Sequence, residues 1–163
     1  MTTAWVSLGS NINKEQSIRA ALDEMAKRYG QLRLSPVYET AAVGFEGDAF
    51  YNLVVTFETD LSAAELHLQM REIEDQCGRI RGPNKFDNRT LDADLLMLGN
   101  EVGDASGKQL PRDDVLKYAF VLKPMVDLEP ELPHPETGKS VQQHWADFSD
   151  PDQQMEVVEF IWP

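Results

Sequence analysis

Asp92 and Asp94 stand two residues apart in the run Phe86 to Asn100, FDNRTLDADLLMLGN. Side chains two apart share one face of a strand. Asp92, Asp94, Leu96 and Leu98 are therefore expected on one face and Leu91, Ala93, Leu95 and Met97 on the other. Two carboxylates facing the same way are costly to bury unless a cation lies between them, and a hard divalent ion such as Mg2+ suits oxygen donors. Mg2+ commonly takes only one or two protein carboxylates, with substrate phosphates supplying further oxygens. The plainer alternative is a strand whose first residues face water.

The segment upstream separates these readings. Arg79, Arg81, Lys85 and Arg89 place four cations, against the single acid Asp87, in eleven residues of a chain whose formal net charge is −13. A basic loop running into a paired-carboxylate strand fits transfer of a polyphosphate: metal neutralises bridging oxygens while guanidinium groups hold and stabilise the moving group. A solvated charge run is the competing explanation. The acidic balance argues against nucleic acid or an anionic membrane as main partner, since both attract basic surfaces. A phosphate ligand must then be small and held locally.

The elements that position these residues follow from periodicity. Ala4 to Leu8 reads as a buried strand running into Gly9-Ser10-Asn11, where a small residue lets backbone approach a neighbour or ligand. Asn13 with Gln16 suggests a capped helix start, and Ile18, Leu22, Met25 and Tyr29 form an apolar stripe that Gly30 ends. Leu32 to Thr40 alternates as a strand, which Pro36 demotes to an edge or a bulge. Phe50 to Thr59 is the clearest strand, with Tyr51, Leu53, Val55 and Phe57 on one face and Phe50, Asn52, Val54 and Thr56 on the other. Phe50 beside Asn52 could hold a flat heterocycle by stacking and paired hydrogen bonds. A second helix opens at the capping box Ser62 to Glu65, with Leu61 and Leu66 as its staple, runs along Leu66, Met70, Ile73 and Cys77, and stops at Gly78.

The order strand, helix, strand, strand, helix, strand predicts an α+β, ferredoxin-like split βαβ arrangement. A C-terminal extension follows, with an apolar run from Ala119 to Val126, a short helix from Val141 and a last strand near Met155 to Ile161. The chain of 163 residues suits one domain, 1–163, and a monomer is expected. One cysteine, Cys77, excludes an internal disulfide, and no apolar segment is long enough for a signal peptide or a membrane span, so a cytoplasmic protein is expected. His67, His134 and His144 lack metal-ligand spacing, and neither a Gly-x-x-x-x-Gly-Lys loop nor a Gly-x-Gly-x-x-Gly turn occurs.

Several stretches together resemble the 6-hydroxymethyl-7,8-dihydropterin pyrophosphokinase family of folate biosynthesis. They are SLGSN from Ser7, YETAAVG from Tyr38, FYN from Phe50, GRIR from Gly78, RTLDADLLMLGN from Arg89 and AFVLKPMVDLEPELPHP from Ala119. The resemblance implies transfer of pyrophosphate from ATP to the pterin hydroxymethyl oxygen with release of AMP. It implies that Asp92 and Asp94 bind two Mg2+ ions, that Arg79 and Arg89 stabilise the migrating group, and that Glu74 and Arg81 lie near the nucleotide. It further implies that Phe50 and Phe120 sandwich the pterin while Asn52 and the backbone of Thr40, Ala41, Ala42 and Val43 read its polar edge. Three departures fall at the site. Phe86-Asp87-Asn88 replaces the usual Trp-Gly-Pro, Arg112 follows Pro111 where the family usually has a nucleotide-contacting His, and Tyr118 stands where it usually has Arg, so that Arg112 and Tyr118 are implied as altered nucleotide-binding positions. The rival readings are a copy acting on another pterin and a non-catalytic pterin- or nucleotide-binding module.

Overall fold

The computed structural model describes residues 1–41, 49–78, 91–105, 108–150 and 153–162. Its elements run β1 (Thr2–Ser10), α1 (Lys14–Tyr29), β2 (Arg33–Leu34), β3 (Val37–Thr40), β4 (Phe50–Thr59), α2 (Ala63–Gly78) and β5 (Asp92–Leu98). They continue as the hairpin β6 (Gly103–Ala105) and β7 (Lys108–Leu110), then α3 (Asp114–Lys117), α4 (Ala119–Leu128), α5 (Val141–Asp147) and β8 (Met155–Val158). The result is α+β: an antiparallel sheet of order β5-β1-β4-β3-β8, with β2 also paired to β4. Among the described residues no helix is long and apolar enough to cross a membrane.

The alternation in β4 decides which side of the sheet each residue serves. Leu53, Val55 and Phe57 pack into one core with Val6 and Leu8 of β1, beneath Ile18, Leu22 and Met25 of α1 and Leu66, Met70 and Ile73 of α2. Val54 joins a second core on the opposite face with Trp5, under Val121, Leu122 and Met125 of α4 and Val141 of α5. Helices therefore cover both faces, but α4 covers its face only in part. The residues at the Ser10 end of β1 and the Phe50 end of β4 are left to line a hollow.

Three local expectations need correction. The segment from Leu32 to Thr40 is two strands rather than one, because Pro36 has no N–H to give a ladder. Ser35 bridges the break: its N–H donates to Val54 O at 2.9 Å and its Oγ accepts from Val54 N at 2.9 Å. Of the two readings of Pro36 the bulge holds, since the register on β4 shifts by one residue between β2 and β3, and the edge does not, since β8 pairs outside β3. Asn13 sits at the start of α1 with a left-handed φ of 49° and makes no side-chain cap bond, so the capping box with Gln16 is not formed. In β5 the alternation stops at Leu96, because the register opposite β1 shifts between Trp5 and Val6. That bulge turns Met97 toward the second core and Leu98 toward the first, the reverse of strict alternation.

Gly78 closes α2 against the start of β5. A Cβ at this position would collide with both the side chain and the backbone of Leu91, which is buried beside Asp92. Gly78→Ala is expected to lower unfolding stability by about 1–3 kcal/mol, the usual cost of forcing extra volume into a packed contact, measured by denaturant titration. A variant as stable as the parent would mean that Leu91 moves aside freely.

Candidate active site

Sheet register sets the floor of the hollow. Asp92 of β5 lies opposite Gly9, Gly9 lies opposite Asn52 of β4, and Asn52 lies opposite Tyr38 of β3. Two residue pairs further along, on the same face, Asp94 lies opposite Ser7. Neighbouring strands are about 4.8 Å apart, so Asp92 and Asn52 face each other across roughly 10 Å with Gly9 between them. Gly9 keeps this floor low, since a Cβ there would come within 2.9 Å of Asn52 Oδ1.

Above that floor is a cavity of about 460 Å3. Phe50 and Phe120 both line it, Phe120 from the first turn of α4, together with Thr40, Ala41 and Asn52. Buried Asn52 donates from Nδ2 to Thr40 Oγ1 at 2.9 Å, which fixes the plane of the carboxamide and leaves its second N–H and its carbonyl oxygen for other partners. Tyr118 also lines this cavity and stacks on Phe120, with ring centroids 5.0 Å apart and 20° between planes.

A second cavity, of about 210 Å3, opens on the other side of the carboxylates, between α2 and β5. Its walls carry His67, Arg71 and Glu74 from α2 and Lys108 from β7. Asp92 and Asp94 line both cavities. Glu74 is buried, and its Oε2 accepts from the backbone N–H of Ala93 at 2.9 Å, so the strand is held at the residue between the two aspartates.

Among the described residues no group of three or more His, Cys, Asp and Glu gathers at one point. The pair Asp92 and Asp94 still fits Mg2+, which takes few protein carboxylates and completes its shell from phosphates and water. Burial, and after it the cations Lys108 and Arg112, hold the His67 imidazole below the usual histidine pKa, favouring the neutral ring.

The structure thus brings together Thr40, Ala41, Phe50, Asn52, Asp92, Asp94, Tyr118 and Phe120 around one cavity and Glu74 around its neighbour. Arg79, Arg81, Arg89, Ala42 and Val43 lie outside the described residues. Arg112 does not line either cavity. Its N–H donates to Leu96 O at the bulge at 2.9 Å, and its guanidinium stands 3.5 Å from Asp114, which does line the first cavity. His67, Arg71, Lys108 and Asp114 were not expected from sequence. The available signal was spacing on α2: positions 67, 71 and 74 share a helix face beside the core stripe.

Residues 5–130 match the family described as 7,8-dihydro-6-hydroxymethylpterin-pyrophosphokinase (HPPK). The chain belongs to this family. A 2-amino-4-hydroxy-6-hydroxymethyldihydropteridine pyrophosphokinase of Aquifex aeolicus is 31% identical over 83% of this chain and 85% of its own length. Its counterpart in Pseudomonas aeruginosa is 34% identical over 81% of this chain and 83% of its own length. The Folic acid synthesis protein fol1 of Pneumocystis carinii is 32% identical over 91% of this chain, which spans only 20% of that longer protein. In fold, the chain resembles the two-part HPPK-DHPS of Plasmodium falciparum, with a TM-score of 0.70 at 13% identity over 90% of this chain and 41% of that one. An HPPK-DHPS crystallised with substrates gives 0.69 at 13% identity, over 90% of this chain and 43% of that chain.

Proposed function

We propose that the chain transfers the pyrophosphoryl group of ATP to the hydroxymethyl oxygen of 6-hydroxymethyl-7,8-dihydropterin, releasing AMP, as a Mg2+-dependent step of folate biosynthesis. The observation that carries this reading is the pair Asp92 and Asp94 as shared wall between two unlike cavities. One has aromatic walls and a fixed carboxamide, which suits a flat heterocycle. The other has two cations, which suits phosphates.

In this reading Phe50 and Phe120 stack on the two faces of the pterin, Asn52 reads its polar edge, and Thr40 holds Asn52 in the reading orientation. Ala41 lines the same cavity, and with Ala42 and Val43, the next residues in sequence, it is assigned to the polar edge of the pterin. Glu74 fixes β5, so both carboxylates stay aimed at the junction. Two Mg2+ ions, when bound by Asp92 and Asp94, supply charge neutralisation to the phosphate oxygens. The pterin oxygen attacks the β-phosphorus, and the bond from that phosphorus to the oxygen bridging to the α-phosphate breaks. Its electron pair leaves with AMP, and the hydroxyl proton passes to water. Arg79 and Arg89 are assigned to the developing charge and Arg81 to the nucleotide. Arg112 and Tyr118, two of the positions that depart from the family pattern, flank the pterin side through Asp114 and Phe120.

We read the topology as ferredoxin-like on the same footing. Each helical crossover, β1 through α1 to β3 and β4 through α2 to β5, skips one strand of the order β5-β1-β4-β3. That is the split βαβ pattern.

The deciding experiment mixes purified protein with ATP, Mg2+ and 6-hydroxymethyl-7,8-dihydropterin and separates the nucleotides by chromatography. AMP is expected to appear in step with the pterin pyrophosphate. ADP in its place would make the protein a simple kinase. Tight pterin binding with no nucleotide product would make it a binding module.

A further inference from the structure

Tyr118, the N-cap of α4, has an extended backbone (φ −117°, ψ 126°) and makes no side-chain cap bond. The N–H groups of a helix's first turn have no partner within the helix and are satisfied from elsewhere. At Ala119 that partner comes from 34 residues along the chain: Gln153 Oε1 accepts from the Ala119 N–H at 2.8 Å. Nε2 of the same side chain donates to Lys117 O at 3.0 Å and to Asp150 Oδ2 at 2.8 Å. A backbone N–H only donates and a carbonyl only accepts, and a carboxamide meets both with its two ends. One side chain thus holds the peptide units on either side of Tyr118.

The place of Gln153 in the chain gives this bridge its consequence. Met155, two residues on, lies opposite Thr40 in the ladder between β3 and β8. Two residues span at most about 7 Å, so the carboxamide that holds the start of α4 is anchored to the end of β3. Thr40 and Ala41 line the first cavity from the end of β3, and Tyr118 and Phe120 line it from the start of α4. The far end of α4 is tied to the same strand, since the Tyr38 phenol donates to Asp127. Val121, Leu122 and Met125 pack the body of the helix into the second core. What remains for Gln153 to fix is the first turn, which carries Phe120. Stacking is sensitive there, because a gap of about 0.5–1 Å forfeits roughly a quarter to a half of a contact's dispersion attraction.

We propose that Gln153 is a positioning residue for the aromatic cavity, holding Phe120 at stacking distance from a flat heterocycle without itself lining the cavity. The proposal rests on reading that cavity as the pterin side.

Calorimetric titration with 6-hydroxymethyl-7,8-dihydropterin tests it on four proteins: the parent, Gln153→Met, Phe120→Ala and the double variant. Methionine keeps the length of the side chain but has no donor and only a weak acceptor. Gln153→Met is expected to weaken pterin binding by roughly 3- to 10-fold, the part of one aromatic stacking contact that is at stake. Affinity for α,β-methylene ATP with Mg2+, measured without pterin, should stay within about twofold of the parent. In the Phe120→Ala background, where Phe50 and Asn52 still hold the pterin, the same substitution should change pterin affinity by less than about twofold, because the ring it positions is gone. The melting temperature should fall equally in both backgrounds. The proposal is overturned if Gln153→Met binds pterin as tightly as the parent, or weakens it equally with and without Phe120, which would make Gln153 a structural residue. Equal weakening of the ATP analogue would also overturn it. A parent that binds no pterin would overturn the reading of the cavity, and the proposal with it; a parent that binds beside a variant that binds equally overturns the proposal alone.

Discussion

The Asp94→Asn variant is expected to fold like the parent and to lose pyrophosphoryl transfer by roughly 10³-fold or more. Several kilocalories per mole of transition-state charge stabilisation depend on the metal, and each 1.36 kcal/mol is tenfold in rate. The substitution keeps the shape of the side chain, and Asp94 is a half-buried residue opposite Ser7 on β1. Stability should thus change by no more than about 0.5 kcal/mol, as for substitutions away from packed contacts. The chemistry changes because a carboxamide supplies neither the charge nor the second anionic oxygen that a divalent ion between two cavities needs. Pterin affinity should persist, since Phe50, Asn52 and Phe120 are untouched, whereas the Mg2+ dependence of nucleotide binding should flatten. Following AMP release and titrating nucleotide with and without chelator checks both. A turnover within twofold of the parent would remove Asp94 from the metal site.

What could be read in advance was what local chemistry decides. The stripes of α1 and α2 and the two faces of β4 depend on residue type at a fixed period, and they are where the periodicity puts them; the short helix of the tail starts at Val141 as expected, and the last strand starts at Met155 but ends at Val158 rather than near Ile161. What could not be read depends on a partner distant in sequence. The bulge at Leu96 exists because β5 must meet β1 in two registers, and nothing in DADLLML marks it. The hairpin of β6 and β7 comes from a segment too polar to show a period, yet it brings Lys108 to the second cavity.

The site divides in the same way. Asp92 and Asp94 were legible because an Asp-x-Asp inside an apolar run is chemically conspicuous, and Asn52 beside Phe50 because a carboxamide is unusual in so apolar a strand. Their meeting was not legible: it needs the register that sets Gly9 between β4 and β5. Tyr118 shows what motif position leaves open. It replaces an Arg at a position that the resemblance assigns to the nucleotide, and in the fold it stacks on Phe120 and lines the aromatic cavity, a placement that depends on the packing of α4 over the sheet. His67 was not legible as a site residue because its place on the wall of the second cavity depends on how α2 packs beside β5.

Gly9 and Asn52 supply the second large effect, on pterin binding rather than on turnover. Asn52→Leu conserves volume but removes the groups expected to face the heterocycle, and it leaves Thr40 Oγ1 without its donor. Two lost hydrogen bonds, together with ligand groups left unpaired in the cavity, cost about 2–5 kcal/mol, or roughly 30- to several-thousand-fold in pterin affinity. Gly9→Ala reaches the same carboxamide by another route: its Cβ would press to 2.9 Å from Asn52 Oδ1, so the side chain must turn away from Thr40. It should therefore weaken pterin binding in the same direction though less severely, while every polar group of the site remains present. Neither change touches the second cavity, whose walls come from α2, β5 and β7, and nucleotide affinity measured without pterin should match the parent. Equal loss of both ligands would mean that the two cavities move as one unit. Undiminished pterin binding in Asn52→Leu would remove the carboxamide from recognition and leave the stacking of Phe50 and Phe120 to hold the ring alone.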